Sequence, residues 1–424
     1  MAVLRKYRIM DDLKTRFVVV GAGPAGCSAA KVLIEMNHAD DVLLIGREAT
    51  LAYERPPLSK KSLLEEQEAP QFLSEALWLE EHQAKTLLDT TIIEVNADEQ
   101  FVLTEKNQKI YYEKLLLTVG ADPRKLNIAG EHLDSVITIR DFADAQKLKP
   151  QLISGKKLIV VGNGFIGLEV AATASQLGLD VTVIGLTERV MSRTMPVEVS
   201  QAFEHKFEDH GVKFLFNSTL QSIQGTEQVE SVVLQNGETL DADIVVIGIG
   251  AYPNSEGISG IGHLLSNGIA VDQNGQTLDA NIFAAGDVAN RATDFANEQF
   301  NMRLEAWEPA RDQGRAVAEF MSNQANVDLT APWMWSDQFD WNLQAIGYGH
   351  LASKQVLLGS QADAKFTILQ LKDNGQLVGA ITVNNGKDMT LCRRAIKNGL
   401  SFDLAELQEN TDLNLKQVLA LAKA

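Results

Sequence analysis

The sequence predicts an α/β chain that holds two dinucleotides, one binding unit inserted into the other, with a further α/β region after them. Three observations predict it. Two glycine fingerprints, FVVVGAGPAG (Phe17 to Gly26) and LIVVGNGFIG (Leu158 to Gly167), each follow a short β-branched run. The segment TLDANIFAAGDVA (277–289) comes after the second unit has closed, yet belongs with the first. Strand-like runs at Gln355–Gly359, Phe366–Leu371 and Leu377–Val383 precede a helical tail, Thr390–Lys397 and Leu413–Ala424. Each fingerprint reads as strand, tight turn and helix start. In that arrangement glycines let the backbone approach a pyrophosphate, and the helix N-terminus offers it unpaired N–H groups.

In chain order, the first βαβ unit runs from strand Phe17–Val20 through a helix from Ala25 to about Asn37 to strand Val42–Ile45. YERPPLSK (53–60), short strands at Thr91–Val95 and Phe101–Thr104, and KLLLTVGADPR (114–124) follow. The second unit starts at Leu158, continues in a helix from about Ile166 to Leu177 and strand Val181–Ile184, and closes at DIVVIGIGAYPN (243–254). The residues before Phe17 read as a frayed extension without the apolar core of a signal peptide.

Gly21, Gly23 and Gly26, with Pro24 and Ala25 between them, are expected to hold the first pyrophosphate. An acidic residue about 20 positions on binds the adenosine ribose in such units. Glu48 is that residue here, and Arg47 is placed to stack on adenine; a plain salt pair is the competing reading. In IFAAGDVA, a strand runs into Ala-Gly-Asp. Asp287 can there accept a hydrogen bond from a polyol such as the ribityl chain of a flavin, and Gly286 allows the close approach. Gly162, Gly164 and Gly167, with Phe165 and Ile166, are expected to hold a nicotinamide dinucleotide. The strand Val181–Ile184 ends in Gly185, where a carboxylate would normally select NAD through its free 2′-hydroxyl. Without it a 2′-phosphate is less excluded. Arg189 points towards NADP and Glu188 against it; NADH is the preferred reading, with NADPH open. Glu169 is read either as reaching the nicotinamide end or as interacting with the helix dipole.

A net charge of −18 argues against nucleic acid as partner. No apolar run reaches the roughly 18 residues of a membrane span. Cys27 and Cys392 form no CxxC and no zinc spacing, so no metal site is expected, and the pair fits a reducing cytoplasm. Cys27 follows Gly26 at a helix start, where a thiolate would be stabilised; a small residue packed against the sheet is the other reading.

GAGPAG, YERPPLSK, TVGADPR, GNGFIGLEVAATA, AAGDVA, RLEAWEPARDQG and PWMWSDQFDWNLQAIG occur in this order. Together, across about residues 16 to 385, they resemble the ferredoxin–NAD(+) reductase components of Rieske-type aromatic ring-hydroxylating dioxygenase systems, a putidaredoxin-reductase-like family. The resemblance implies a glutathione-reductase-type fold: two Rossmann-like dinucleotide-binding domains and a C-terminal α/β domain. Residues 16–120 with 252–325 would bind FAD, 121–251 would bind NAD, and 326–424 would form the C-terminal domain.

The resemblance also implies roles. Lys60 looks like the lysine beside the flavin N5 edge and Pro57 like the proline over the ring. Arg140 matches an arginine that contacts FAD, and Ile92 a residue whose backbone meets adenine. Trp307, with Glu305 near it, and Trp335 match positions beside the flavin; Ile166, Glu169 and Gly250 match the nicotinamide site. Trp333, Trp335 and Trp341 also fit the core face of a strand, and Lys60 also fits a solvated lysine. The implied activity is transfer from NADH to tightly, non-covalently held FAD and then singly to a Rieske-type 2Fe–2S ferredoxin serving aromatic hydrocarbon catabolism. A reductase of a quinone, radical or other small acceptor is the alternative. A disulfide reductase needs a cysteine that Gly46–Lys60 lacks. Arg311, Arg315, Arg393, Arg394 and Lys397 are candidate ferredoxin-docking residues. TVGA in place of ATGA, and Pro309 at a commonly polar position, are minor departures; Gly185 is the one that touches function.

Overall fold

The computed structural model describes residues 12–323, 329–409 and 414–422. The expected N-terminal extension lies mostly outside them, as do the 325/326 boundary, Leu413 and the last two residues. The chain divides into two compact units: residues 1–54, 71–122 and 252–330 form one, and 55–70, 123–251 and 331–424 the other.

The first unit is built on a five-stranded parallel sheet. Its order is Ile282–Ala284, Lys114–Leu117, Phe17–Val20, Val42–Ile45, Thr86–Leu87. Strands Phe17–Val20 and Val42–Ile45 are apolar at every position because both faces are covered. Phe17 and Val19 face a cluster that includes Cys27, Leu33, Phe283 and Met321. Val18 and Val20 face another, with Ile110, Leu115 and Ile261. Helix Pro24–Met36 begins with proline at its first position, where the missing N–H costs nothing. Helix Trp307–Asn323 packs against it so closely that a Cβ on Gly314 would lie 2.1 Å from the Ala25 carbonyl oxygen.

The second unit repeats the arrangement with its own parallel sheet: Val136–Thr138, Ile244–Ile247, Lys157–Val161, Asp180–Ile184, Lys213–Leu215. Helix Phe165–Gln176 follows the third of these strands in space and the second in sequence. The C-terminal part is a five-stranded antiparallel sheet, with hairpin Trp333–Gln338 and Trp341–Gly347 at one edge. Helix Gly386–Lys397 begins earlier than the sequence suggests, at Gly386 rather than Thr390.

Candidate functional site

Both fingerprints fold alike, and their three glycines divide the work. Gly21 and Gly162 sit at φ +111° and +114°, a region closed to residues with a Cβ. Their amides bond the ends of the neighbouring strands, Ile45 O at 2.8 Å and Ile184 O at 2.8 Å. The third glycines pack against the first: an added Cβ would come 1.8 Å from Gly21 O at Gly26 and 2.3 Å from Gly162 O at Gly167. A Cβ on Gly23 or Gly164, by contrast, would meet nothing within 4 Å. The open side of each turn therefore lies at the second glycine, immediately before a helix N-terminus, where a pyrophosphate must reach the backbone. The residues present fit a dinucleotide in each unit.

In the first unit, Thr118 donates from Oγ1 to Val20 O and Gly21 O at 3.0 and 2.9 Å, locking the turn. Arg47 forms a two-pronged pair with Asp122, both contacts 2.8 Å, and Glu48 accepts the Tyr53 hydroxyl at 2.6 Å. Ile92 is buried and opens strand Ile92–Asn96. Gly286, at φ +77°, starts the single turn that carries Asp287, and its amide donates to Gln313 Oε1 at 3.0 Å. Arg303 donates to Asp287 O and pairs with Glu305 at 2.6 Å. Arg311 stacks its guanidinium 4.9 Å over Trp307, and Arg315 pairs with Glu319 at 3.2 Å.

In the second unit a buried carboxylate organises the arrangement. Glu169 is the fifth helical residue, past the first turn, and its side chain is 5% exposed. The helix-dipole reading gives way, since the dipole acts over the first turn. Its Oε1 accepts from Lys60 Nζ at 2.9 Å and from Ser336 Oγ at 2.7 Å; its Oε2 accepts from Ser59 Oγ. Gln338 Nε2 supports Ser336 at 3.0 Å, and Thr173 Oγ1 holds the Ser59 carbonyl at 2.9 Å. Lys60 is thus no solvated lysine. Pro57 stands in the single turn Pro56–Ser59 just before it. The Arg140 carbonyl accepts from Arg55, and its amide donates to Asp144 Oδ2 at 2.8 Å. Burial raises the Asp144 carboxyl above the ordinary range, with Asp141 adding to it.

Sequence matches now decide the family. Residues 15–314 match the pyridine nucleotide-disulphide oxidoreductase family, and residues 333–419 match the reductase C-terminal domain. The chain belongs to the pyridine nucleotide-disulphide oxidoreductases. It is 34% identical over 385 residues to the 3-phenylpropionate/cinnamic acid dioxygenase ferredoxin–NAD(+) reductase component of Photorhabdus laumondii subsp. laumondii, covering 90% of this chain and 96% of that protein. It is 34% identical over 400 residues to the anthranilate 1,2-dioxygenase system ferredoxin–NAD(+) reductase component of Burkholderia cepacia, covering 93% and 97%. The structure of a covalent putidaredoxin reductase–putidaredoxin complex matches with a TM-score of 0.90 at 28% identity, over 98% of this chain and 100% of that one.

Within this oxidoreductase the remaining expected residues fall as follows. Phe165 and Ile166 open the helix after Gly164, and Ile166 is 45% exposed. Gly250 lies at φ +97°, and a Cβ there would approach Arg193 Nη2 at 3.6 Å. Glu188 is exposed. The Arg189 guanidinium donates to Met195 O, Ser192 O and Ser200 Oγ at 2.8, 3.1 and 2.5 Å. Trp335 stacks on Trp333 at 5.0 Å and 19°, and Arg393 lies 5.1 Å over Trp333, so these tryptophans are half-buried rather than core. Arg394 and Lys397 lie in the last turn of their helix.

The thiolate reading of Cys27 is corrected. Burial pushes its thiol up to about 12, and Cys392 likewise to about 12. Among the described residues no helix is long and apolar enough to cross a membrane, and no three His, Cys, Asp or Glu side chains are grouped to hold a metal. Sequence reasoning missed Ser59, Ser336, Gln338, Asn163, Thr118 and Gln313. All six lie inside the quoted motifs, Ser59 in PPLSK, Thr118 in TVGADPR, Asn163 in GNGFIG, Gln313 in RLEAWEPARDQG and Ser336 and Gln338 in WSDQ, which is the signal that was available.

Proposed function

We propose that this oxidoreductase is an FAD-dependent ferredoxin reductase that takes electrons from NADH and passes them singly to an iron–sulfur ferredoxin feeding an aromatic ring-hydroxylating oxygenase. One observation separates it from the disulfide-reducing members of its family: both cysteines are buried with thiols raised to about 12. Neither supplies a thiolate, so no dithiol relay stands between cofactor and acceptor. FAD, when bound, supplies the step from two-electron donor to one-electron acceptor.

The chain's own residues then bind, orient and neutralise. Gly21, Gly23, Pro24, Ala25 and Gly26 cradle the FAD pyrophosphate. Glu48, Arg47 and the Ile92 backbone would take its adenosine end, Gly286 and Asp287 its ribityl side, and Arg140 of the second unit is a further residue that would contact it. Glu305 and Trp307 of the first unit, and Pro57, Lys60 and Trp335 of the second, are the residues that would serve the flavin ring. Lys60 carries a fixed positive charge for reduced flavin, and Glu169 fixes its ammonium. Gly162, Gly164, Phe165, Ile166, Gly167, Glu169, Glu188 and Gly250 receive NADH. On this reading 16–120 with 252–325 is the FAD domain, 121–251 the NAD domain and 326–424 the C-terminal domain. FAD is held without a covalent bond, the ferredoxin is Rieske-type, and the protein works in the cytoplasm. Arg311, Arg315, Arg393, Arg394 and Lys397 form its docking cations.

The supporting relatives are themselves ferredoxin–NAD(+) reductase components of two dioxygenase systems with different substrates, and a fold neighbour is a reductase bound to putidaredoxin. The test is a reconstitution. Purified protein should be yellow, release FAD on acid precipitation, oxidise NADH slowly alone and reduce cytochrome c rapidly once a Rieske-type ferredoxin is added. Absence of stimulation by ferredoxin, with rapid turnover on a quinone, would overturn the proposal.

A further inference from the structure

The end of strand Asp180–Ile184 carries Gly185 where a carboxylate is expected, and the structure shows what occupies the space. A Cβ on Gly185 would lie 2.4 Å from Asn163 Nδ2 and 2.7 Å from Asn163 Cγ. Asn163 is the variable residue between the first two glycines of the second fingerprint. Its side chain is not idle there. Nδ2 donates to Thr187 Oγ1 at 3.0 Å and to Arg189 O at 3.0 Å, while the Asn163 backbone carbonyl accepts the Met191 amide at 2.9 Å. The asparagine thus ties the loop after the strand to the fingerprint, in the volume a longer residue at 185 would enter. The two positions are coupled: a side chain at 185 and this asparagine rotamer exclude one another.

We infer that Asn163 and Gly185 together set nucleotide discrimination at the adenosine-ribose end, replacing the usual carboxylate with a neutral amide. This rests on the proposed binding of a nicotinamide dinucleotide by the second fingerprint. Three features define the outcome. No carboxylate stands at 185 to accept a 2′-hydroxyl or repel a 2′-phosphate. Three contacts turn the Arg189 guanidinium to Met195 O, Ser192 O and Ser200 Oγ, which holds it against its own loop and leaves its charge beside Glu188. Glu188, exposed three residues beyond Gly185, is left as the nearby negative charge. NAD is therefore preferred over NADP only through the exposed Glu188 charge, partly offset by Arg189, rather than by a bidentate ribose contact. Such a preference is shallow and sensitive to salt.

The experiment measures dissociation constants of NAD+ and NADP+ for the FAD-loaded protein by calorimetry, at low and high salt. The variants are Gly185→Glu, the double exchange Asn163→Gly/Gly185→Glu, and Glu188→Gln. The double exchange should raise the NADP+ to NAD+ ratio of dissociation constants about tenfold, since it restores a close charge. Gly185→Glu alone should not, because Asn163 blocks the side chain. Glu188→Gln, an exposed change that leaves the fold intact, should lower the ratio about threefold at low salt, with the difference fading at high salt. An unchanged ratio in both the double exchange and Glu188→Gln would overturn the inference. So would an equal gain from Gly185→Glu alone, which would show that Asn163 gates nothing. Wild-type protein that binds neither nucleotide would instead sink the proposed function.

Discussion

Removing the Glu169 carboxylate tests the arrangement on which the site in the second unit depends. In Glu169→Ala, Lys60 loses its partner at 2.9 Å, and Ser59 and Ser336 lose their acceptor. Breaking a buried pair by deleting one partner costs about 3–5 kcal/mol, chiefly because the other charge stays desolvated. The Lys60 side chain is 19% exposed, so water partly recovers it, and the low end, about 3 kcal/mol, applies. With a urea slope of about 3 kcal/mol/M or somewhat more for a chain of this size, the midpoint should fall by about 1 M. Equilibrium urea unfolding of the FAD-loaded protein, followed by tryptophan fluorescence, reads this directly. Lys60→Met/Glu169→Leu removes both charges and should recover most of the loss, since an apolar pair of similar volume is often neutral to stability. The cycle should therefore show a coupling above about 1 kcal/mol. Glu169→Ala unfolding at the wild-type midpoint, or a double variant no better than the single, would refute a buried, mutually dependent pair.

Two glycines of the first fingerprint, one packed and one open, separate packing from binding. Gly26→Ala puts a methyl 1.8 Å from Gly21 O and should yield protein without yellow colour and with a lowered melting temperature. Gly23→Ala meets nothing and sits at φ −86°, so the melting temperature of flavin-free protein should hold while FAD dissociates more readily on gel filtration. Cys27 and Cys392 should resist iodoacetamide at pH 8 and react only after denaturation. Their folded thiols sit at about 12 against an ordinary 9.0, so their contribution to stability is intact below pH 9 and lost between pH 9 and 12. Urea midpoints measured across that window should fall with pH, and Cys27→Ala/Cys392→Ala should flatten the fall. Arg311→Glu should raise the apparent KM for ferredoxin and weaken its salt dependence; an unchanged KM removes Arg311 from the docking surface.

What the sequence made legible, and what it hid, follows from how far each interaction reaches along the chain. The fingerprint turns could be read because the constraint is local: φ near +110° at Gly21 and Gly162 admits little but glycine, and the packing partner is five residues away. The continuous apolar strands likewise announce a sheet covered on both faces. The partners of Glu169 are another matter. Ser59 lies 110 residues before it and Ser336 167 after it, and neither hydroxyl carries a pattern that marks it as a ligand. Motif recognition brought Lys60 and Glu169 onto one list without showing that they touch. The surroundings of Arg189 were hidden for a related reason. A cation near a strand end looks available for phosphate, but its use is decided by carbonyls at Ser192 and Met195, whose orientation no residue type encodes. Gly185 is the most telling case. In sequence it is a missing carboxylate and a doubt about the nucleotide. In the structure it is half of an exchange whose other half is Asn163, to which the sequence reading gave no role. The missing carboxylate is interpretable from the atoms standing in its place, Asn163 Nδ2 and Cγ. That identity turns a doubt into a pair of positions that must be changed together.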